Sequence, residues 1–120
     1  MELKLFDSER KVMEVLWEAD APLTAKEIAA RLGEKVGWNK NTTYTVIKKC
    51  VDKGAIERRE PNFQCVPLVR REQAQAAAAA ELVEKVFDGS ASLLFASLLS
   101  GKQLSPEEIR RLRDMIDALE

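Results

Sequence analysis

The sequence contains no histidine and only two cysteines, Cys50 and Cys65, among its 120 residues. Without histidine, the chain lacks the side chain that most often transfers protons in catalysis near neutral pH. Two cysteines are too few for the four-ligand set of a structural zinc site, and no glycine-rich phosphate loop is present. An enzyme is therefore the least favoured class, and we expect no catalytic residue, no bound metal and no cofactor. We expect both thiols to be buried as small hydrophobes, with a redox switch as the less favoured alternative.

Long apolar runs and a secretory signal are also missing. The longest apolar stretch is far too short to cross a bilayer, and the N-terminus lacks the basic start and apolar core of a signal peptide. We therefore expect a cytoplasmic protein without membrane insertion. Hydrophobic residues make up 46% of the chain and charged residues 32%, which is typical of a folded domain and not of a disordered segment.

The charge of the chain is small but unevenly distributed. The formal net charge is −1, which alone argues nothing about nucleic acid. Residues 34–59 contain seven basic and three acidic residues, a local net charge of +4, whereas residues 1–33 contain five basic and seven acidic residues and carry −2. A basic stretch of this kind suits a surface that faces phosphates. The alternative is an ordinary solvated helix face.

Two helical patterns joined by a short linker follow an amphipathic first helix, which should be capped by Asp7 or Ser8. The earlier of the two patterns begins at Thr24, in a capping box, and is expected to end at Gly33. The later one runs over Asn39–Lys53, with the asparagine as N-cap. This arrangement predicts a helix-turn-helix.

The later helix of this pair has an apolar and a polar side. The inward positions are expected to be Thr43, Val46, Ile47, Cys50 and Val51. The opposite side carries Asn41, Tyr44, Thr45, Lys48, Lys49 and Asp52. Short polar side chains and lysines on one helix face can enter a DNA major groove, which gives this face a function. A frayed first turn with capping threonines is the alternative.

Two strand-like runs, 55–59 and 63–68, come directly after the helix-turn-helix. Pro61 and Asn62 join them in an expected type I turn. A helix-turn-helix followed by a short hairpin predicts a winged helix over residues 1–69. A winged helix with a basic polar face in turn predicts DNA binding, and a winged-helix protein-interaction module without DNA binding is the alternative function.

Residues 70–120 predict a separate helical region, so that the fold class is mainly α with a small β-wing. A long helix over 70–87 precedes an almost entirely apolar one over 93–99, and Ser105 opens a last helix with a capping box. Three short helices bury too little surface to cover an apolar helix on all sides, so we predict a homodimer through this region. Packing onto the winged helix of the same chain is the alternative. The residues expected to form the dimer contact are Leu93, Leu94, Leu98, Ile109, Leu112 and Ile116.

With these elements in place, the sequence resembles the penicillinase repressor family, the BlaI/MecI/CopY group of bacterial repressors. The matching strings include Leu16-Trp17 in the first helix, the Trp-x-x-Asn-Thr-x-Tyr-Thr pattern that begins at Trp38, and Lys53-Gly54-Ala55-Ile56. The resemblance covers nearly the whole chain. It implies a dimeric winged-helix repressor that binds a palindromic operator, with the helix Lys40–Lys49 in the major groove.

The residues expected to contact DNA fall into two groups. Phosphates should be neutralised by Lys40, Lys48, Lys49, Arg58 and Arg59, and base edges should be approached by Asn41, Thr42, Tyr44 and Thr45. A regulator that senses a ligand in a cavity between the winged domain and the dimer helices is a variant of the same hypothesis.

The resemblance also names a membrane sensor-protease as a partner, because the resistance repressors of this family are relieved by cleavage in their C-terminal part. The cleaved Asn-Phe bond of those repressors corresponds to Ser97-Leu98 here, a departure that weakens this expectation. No cysteine follows Cys65, so the cysteine-rich motif of the copper-responsive branch is absent from this sequence.

Overall fold

The structure is a computed structural model that describes residues 4–119. Its helices are α1 (Asp7–Ala19), α2 (Ala25–Val36), α3 (Lys40–Asp52), α4 (Arg71–Val86), α5 (Ala91–Ser100) and α6 (Pro106–Ala118), and its strands are β1 (Leu23–Thr24), β2 (Ile56–Arg59) and β3 (Gln64–Pro67). Within that range, no helix has the length and apolar character needed to cross a membrane. The chain forms two compact units, an N-terminal unit (Met1–Ala78) and a C-terminal unit (Ala79–Glu120), and α4 contributes residues to both.

The N-terminal unit is a winged helix, as the sequence predicts. Helices α1, α2 and α3 pack against one another and against a three-stranded antiparallel sheet of order β1-β3-β2. Its largest fully buried side chains are Met13, Leu16, Ile28, Leu32, Ile47, Ile56, Val12, Thr43, Cys50 and Cys65. Every helix and strand of the unit contributes to this one core, which fixes α3 relative to the wing.

Strand β1 was not predicted from the sequence. Leu23 pairs with Cys65 and Thr24 with Gln64, so β3 becomes the central strand of the sheet. Two residues are too few to show strand periodicity, and Thr24 also serves as the N-cap of α2. Pro67 still avoids the loss of a ladder hydrogen bond, because it lies beyond the end of β1.

The start of α1 differs from the prediction that Asp7 or Ser8 caps it. The N-cap is Phe6, whose backbone N–H donates to Glu9 Oε1 at 2.8 Å. The Glu9 carboxylate also accepts from Lys53 Nζ at 2.6 Å, and the same ammonium donates to the backbone oxygen of Lys4 at 2.6 Å. The Glu9 carboxylate therefore caps the start of α1 and also joins it to Lys53.

The end of α2 also lies beyond the predicted Gly33. The helix continues to Val36, and Gly37, with φ of 72°, provides the left-handed cap. A glycine inside a helix costs only about 1 kcal/mol relative to alanine, and Lys35, in the last turn, forms an ion pair with Glu18 of α1 at 2.8 Å. The linker to α3 is consequently three residues, 37–39.

The first turn of α4 is attached to α1 within the N-terminal unit. Trp17 Nε1 donates to the backbone oxygen of Val69 at 2.8 Å, and Arg71 pairs with Glu14 at 3.1 Å. Val69 is buried and Ala74 packs against the core. The winged-helix core therefore includes the beginning of α4.

The C-terminal unit has well-defined helix ends but little interior. Ser90 caps α5, and Ser105 and Glu108 form the predicted capping box of α6. Among residues 79–119 none is buried. The exposed large apolar side chains of this unit are Leu82, Val86, Leu93, Phe95, Leu99, Met115, Ile116 and Leu119.

The ion pair between Lys53 and Glu9 should be important for the stability of the winged helix. The Glu9 side chain is 3% exposed, so its carboxylate would lose its partner in a place that water hardly reaches. We expect Lys53→Met to lower the free energy of unfolding by about 2–4 kcal/mol, measured by urea denaturation at pH 7. The matched control, Lys48→Met in α3, the helix that Lys53 follows, should change it by less than about 0.5 kcal/mol, since Lys48 is exposed. Equal effects of the two substitutions would contradict this account.

Candidate functional site

Helix α3 is set into the core by one face and leaves the other exposed. Thr43, Val46, Ile47 and Cys50 are buried, as predicted. The exposed side chains are those of Lys40, Asn41, Thr42, Thr45, Lys48 and Lys49. Tyr44 is half-buried, on the flank of α3. Because the buried positions recur at helical spacing, the opposite positions have to point away from the protein.

The hydroxyl-rich first turns of α3 are regular helix. Asn39 Oδ1 accepts from the backbone N–H of Thr42 at 2.8 Å, as expected of an N-cap. Thr45 Oγ1 donates to the backbone oxygen of Asn41 at 2.9 Å, and the buried Thr43 Oγ1 donates to that of Asn39 at 3.3 Å. Each threonine at 43 and 45 thus satisfies its own donor within the helix, while the exposed hydroxyl of Thr45 keeps lone pairs that can accept from a ligand.

Three lysines of α3 have no carboxylate partner among residues 4–119. These are Lys40, Lys48 and Lys49. The Lys40 ammonium lies 5.6 Å from the centroid of the Tyr44 ring, and the other two lysines are exposed. The face of α3 therefore presents three ammonium groups without an ion pair in the described part of the chain, and Asp52 is the one acidic residue of this helix.

The two wing arginines are paired with neighbouring carboxylates. Arg58 Nε donates to Glu60 at 2.8 Å, and Arg59 Nε donates to Glu57. The hydrogen bond from Arg58 lowers the pKa of Glu60, so this carboxylate remains ionised over the neutral range. Glu57 and Arg59 lie two positions apart in β2, so their side chains point to the same face of the strand, whereas Glu60 lies in the turn that follows. Strand alternation could have shown the pair of Glu57 and Arg59 in the sequence, and the charge count over residues 34–59 omitted Glu60.

An aromatic contact connects the wing to α3, and sequence reasoning missed it. The rings of Tyr44 and Phe63 lie edge to face, with centroids 6.1 Å apart and an interplanar angle of 77°. The guanidinium of Arg58 lies 3.7 Å from the centroid of Phe63. Phe63 therefore contacts one residue of the α3 face and one of the wing, both of which were expected to bind DNA.

The wing turn does not have the predicted type I geometry. The peptide bond between Glu60 and Pro61 is cis, and Asn62 and Phe63 have φ of 73° and 50°. A type I turn needs negative φ at both central positions. Asparagine tolerates the left-handed region, but a bulky aromatic residue rarely adopts it, at a cost of about 1–3 kcal/mol.

Comparison with known proteins identifies a family for this chain. The sequence model of a protein family described as penicillinase repressor matches residues 5–118. The chain belongs to the penicillinase repressor family. Members of this family are transcriptional repressors and not enzymes, which confirms the expectation that the chain is not an enzyme.

Two relatives and one solved structure are similar to this member of the penicillinase repressor family. The methicillin resistance regulatory protein MecI of Staphylococcus aureus strain N315 is 25% identical over 116 residues, covering 95% of this chain and 94% of its own. The penicillinase repressor of Bacillus licheniformis is 22% identical over 116 residues, covering 95% and 90%. The solution structure of the DNA-binding domain of the repressor BlaI matches with a TM-score of 0.55 at 21% identity, over 61% of this chain and 90% of that one, and supports the winged-helix fold.

The six residues expected at a dimer contact of this family member lie in the C-terminal unit. Leu93 and Ile116 are 51% and 56% exposed. The other four, Leu94, Leu98, Ile109 and Leu112, are half-buried. Apolar side chains that remain this accessible in the single chain provide surface that a partner could cover.

Both thiols of the repressor are buried. Burial raises the pKa of Cys50 to about 12 and that of Cys65 to about 11. Neither cysteine forms a disulfide. Since the thiolate is the reactive form, both residues behave as small hydrophobes of the core.

A groove of about 480 Å³ lies in the N-terminal unit beside Trp17. Its charged lining residues are Asp20, Glu72, Arg70 and Arg71, two of each sign. This balance favours neither an anionic nor a cationic ligand, and the groove therefore gives the ligand-sensing variant of the hypothesis no specific effector.

Proposed function

We propose that the chain is a transcriptional repressor that binds a palindromic operator as a homodimer. Residues 1–69 bind DNA in this proposal, and residues 70–120 form the dimer. The observation that carries it is the exposed face of α3, whose polar and cationic side chains point away from the core. The proposed DNA-binding residues are Lys40, Asn41, Thr42, Tyr44, Thr45, Lys48, Lys49, Arg58 and Arg59.

Some residues of α3 contact phosphates in this proposal, and others contact bases. Lys48 and Lys49, exposed and without a partner carboxylate among residues 4–119, neutralise phosphates and hold the helix in register. Asn41 can read adenine through two hydrogen bonds, and Thr45 can contact a thymine methyl group. Each good base contact provides roughly 1–3 kcal/mol of discrimination.

The wing contributes less to affinity than its two arginines suggest. To bind phosphates, Arg58 and Arg59 must leave Glu60 and Glu57 or share them. Exposed ion pairs are worth about 0–1 kcal/mol, so exchanging a carboxylate for a phosphate is feasible but adds little binding free energy. The lysines of α3 therefore supply most of the electrostatic attraction.

The dimer forms through the C-terminal unit, where apolar side chains of α5 and α6 are exposed in the single chain. A two-fold dimer presents two copies of α3, and a palindromic operator has the matching symmetry. The solved BlaI domain is named as DNA-binding and the relatives as repressors or regulators, which supports the same function here. A repressor acts on DNA inside the cell, so the proposal includes a cytoplasmic location.

Relief of repression by a membrane sensor-protease has weaker support. Ser97 and Leu98, which replace the bond cleaved in the resistance repressors, lie inside α5. A helix has to unfold locally before a protease can cleave it. Cleavage at Ser97-Leu98 would therefore need local unfolding of α5 as well as tolerance of a different sequence.

Replacing Lys48 and Lys49 together by alanine should weaken binding to all DNA sequences alike. In a dimer this removes four phosphate contacts, so the slope of log affinity against log salt should become shallower by about 3–4. Fluorescence anisotropy with labelled duplexes from 50 to 200 mM salt measures both effects. Asn41→Ala is the matched comparison: it should keep the salt slope and relax the preference at defined bases. If the double lysine variant binds as the parent does, α3 is not the DNA-binding helix and the protein-interaction module becomes the better hypothesis.

Replacing the wing carboxylates should instead raise the affinity for DNA. In Glu57→Gln/Glu60→Gln both arginines lose their internal partners, and each protomer loses two negative charges. We expect roughly three- to tenfold tighter binding at 100 mM salt, with a steeper salt dependence. The control, Glu72→Gln/Glu84→Gln on α4, makes the same change of charge outside the proposed interface and should have a smaller effect. Unchanged or weaker binding of the wing variant would show that the wing arginines do not contact DNA.

Charged residues on the apolar surface of the C-terminal unit should dissociate the dimer. We expect Leu93→Lys/Ile116→Lys to sediment as a monomer of 13.5 kDa at micromolar concentration, while the parent sediments at twice this mass. Ser92→Lys/Ala118→Lys adds the same charge at two exposed small residues of the same helices and should leave the dimer intact. A parent chain that is monomeric at this concentration would exclude the proposed dimer.

A further inference from the structure

We propose that Phe63, at the tip of the wing, is a positioning residue for sequence recognition: it fixes Tyr44 at the edge of the α3 face. Phe63 does not need to touch DNA in this role. The inference rests on the proposed function, since it concerns how the α3 face reads bases.

The backbone of Phe63 is held in a conformation that such a residue rarely adopts. Its φ is 50°, in the left-handed region, and Asn62 before it has φ of 73°. The backbone oxygen of Phe63 accepts from the N–H of Ala25, at the start of α2, at 3.0 Å. A bulky residue keeps a left-handed backbone only where its surroundings impose it, and such positions are concentrated at functional sites.

This backbone conformation places the Phe63 ring in contact with the core, with Tyr44 and with Arg58. The ring is half-buried and packs against the core, and it meets the Tyr44 ring edge to face with centroids 6.1 Å apart. The guanidinium of Arg58 lies on the phenylalanine ring at 3.7 Å. Both are favourable geometries, the first between two aromatic quadrupoles and the second between a cation and a ring face. The contacts with the core and with Arg58 thus fix the Phe63 ring, and the ring in turn restricts the orientation of the Tyr44 side chain.

Tyr44 lies at a position where a fixed side-chain orientation would favour sequence recognition. It precedes Thr45 directly and lies one helical turn before Lys48, so it borders the exposed face of α3. Within residues 4–119 no hydrogen bond engages its phenol group, which leaves the oxygen available to a base or phosphate. A side chain whose rotamer is already fixed loses less entropy on binding and tolerates fewer wrong partners.

The test compares Phe63→Leu, which keeps an apolar side chain but removes the ring, with Phe63→Tyr, which keeps the ring. Each variant and the parent select binding sequences from the same pool of random duplexes, and affinities are then measured for the parent's selected duplex and for a scrambled one. We expect Phe63→Leu to lower the preference for the selected duplex roughly five- to fiftyfold, with little loss on the scrambled one. Phe63→Tyr should retain the preference.

Tyr44 is the one tyrosine of the chain, so selective labelling of tyrosine gives a single set of ring signals in an NMR spectrum. Loss of the neighbouring ring in Phe63→Leu should shift these signals, whereas Phe63→Tyr adds the signals of a second tyrosine and should leave those of Tyr44 little changed. If Phe63→Leu fails to fold, Tyr44→Ala replaces it, and the relaxed base positions should then adjoin those read by Thr45.

Three results would overturn the proposal. A folded Phe63→Leu that selects the same sequence with undiminished preference would show that the ring does not act on recognition. Equal losses on selected and scrambled duplexes would assign Phe63 a purely structural role in the wing. A parent chain that binds no duplex would refute the proposed function itself, and the inference about Phe63 would fall with it.

Discussion

The attachment of α3 to the core is the constraint on which the rest of the site depends. Thr43, Ile47 and Cys50 anchor its inner face, Asn39 caps its start, and the ion pair from Lys53 holds its end against α1. Because a helix repeats every 3.6 residues, fixing one face fixes the other. The exposed polar face therefore results from core packing and does not require the local preferences of its own residues, several of which are poor helix formers.

The basic residues between positions 34 and 59 fall into two groups: those that form ion pairs within the chain and those that are available to a ligand. Lys35 pairs with Glu18, and Arg58 and Arg59 pair with carboxylates of the wing, whereas the lysines of α3 at positions 48 and 49 have no such partner in the part of the chain that the structure describes. Burial decides how firmly each is held. Exposed pairs contribute about 0–1 kcal/mol and can exchange partners, but a pair with a buried carboxylate cannot open without a large cost. The sequence count of +4 therefore overstates the field that a ligand would meet.

Local signals in the sequence predicted most of this fold, and long-range contacts account for what they missed. The helices and the caps at Thr24, Asn39 and Ser105 depend on neighbouring residues and were found. The ion pair from Lys53 to Glu9 at the start of α1 joins distant parts of the sequence, and β1 exists only because β3 pairs with it. The position of Phe63 likewise depends on a backbone conformation that no propensity scale favours. The exposed face of α3 could be predicted because core and surface positions are complementary, whereas its connection to the wing could not.

The exposed apolar side chains of the C-terminal unit set a limit on how tightly two copies can associate. Eight large apolar residues are between 42% and 87% exposed. If a partner covers half of them on each chain, the gain is roughly 6–12 kcal/mol, at about 0.75–1.5 kcal/mol for completing the burial of each. Association costs about 4–15 kcal/mol, so the proposed dimer has to cover most of this apolar surface to persist at micromolar concentration. Two half-sites held on one operator would add further stability, because DNA that binds both copies raises their effective concentration. In such a system dimer formation and operator binding are coupled, and whatever weakens the contact between the C-terminal units also releases the DNA.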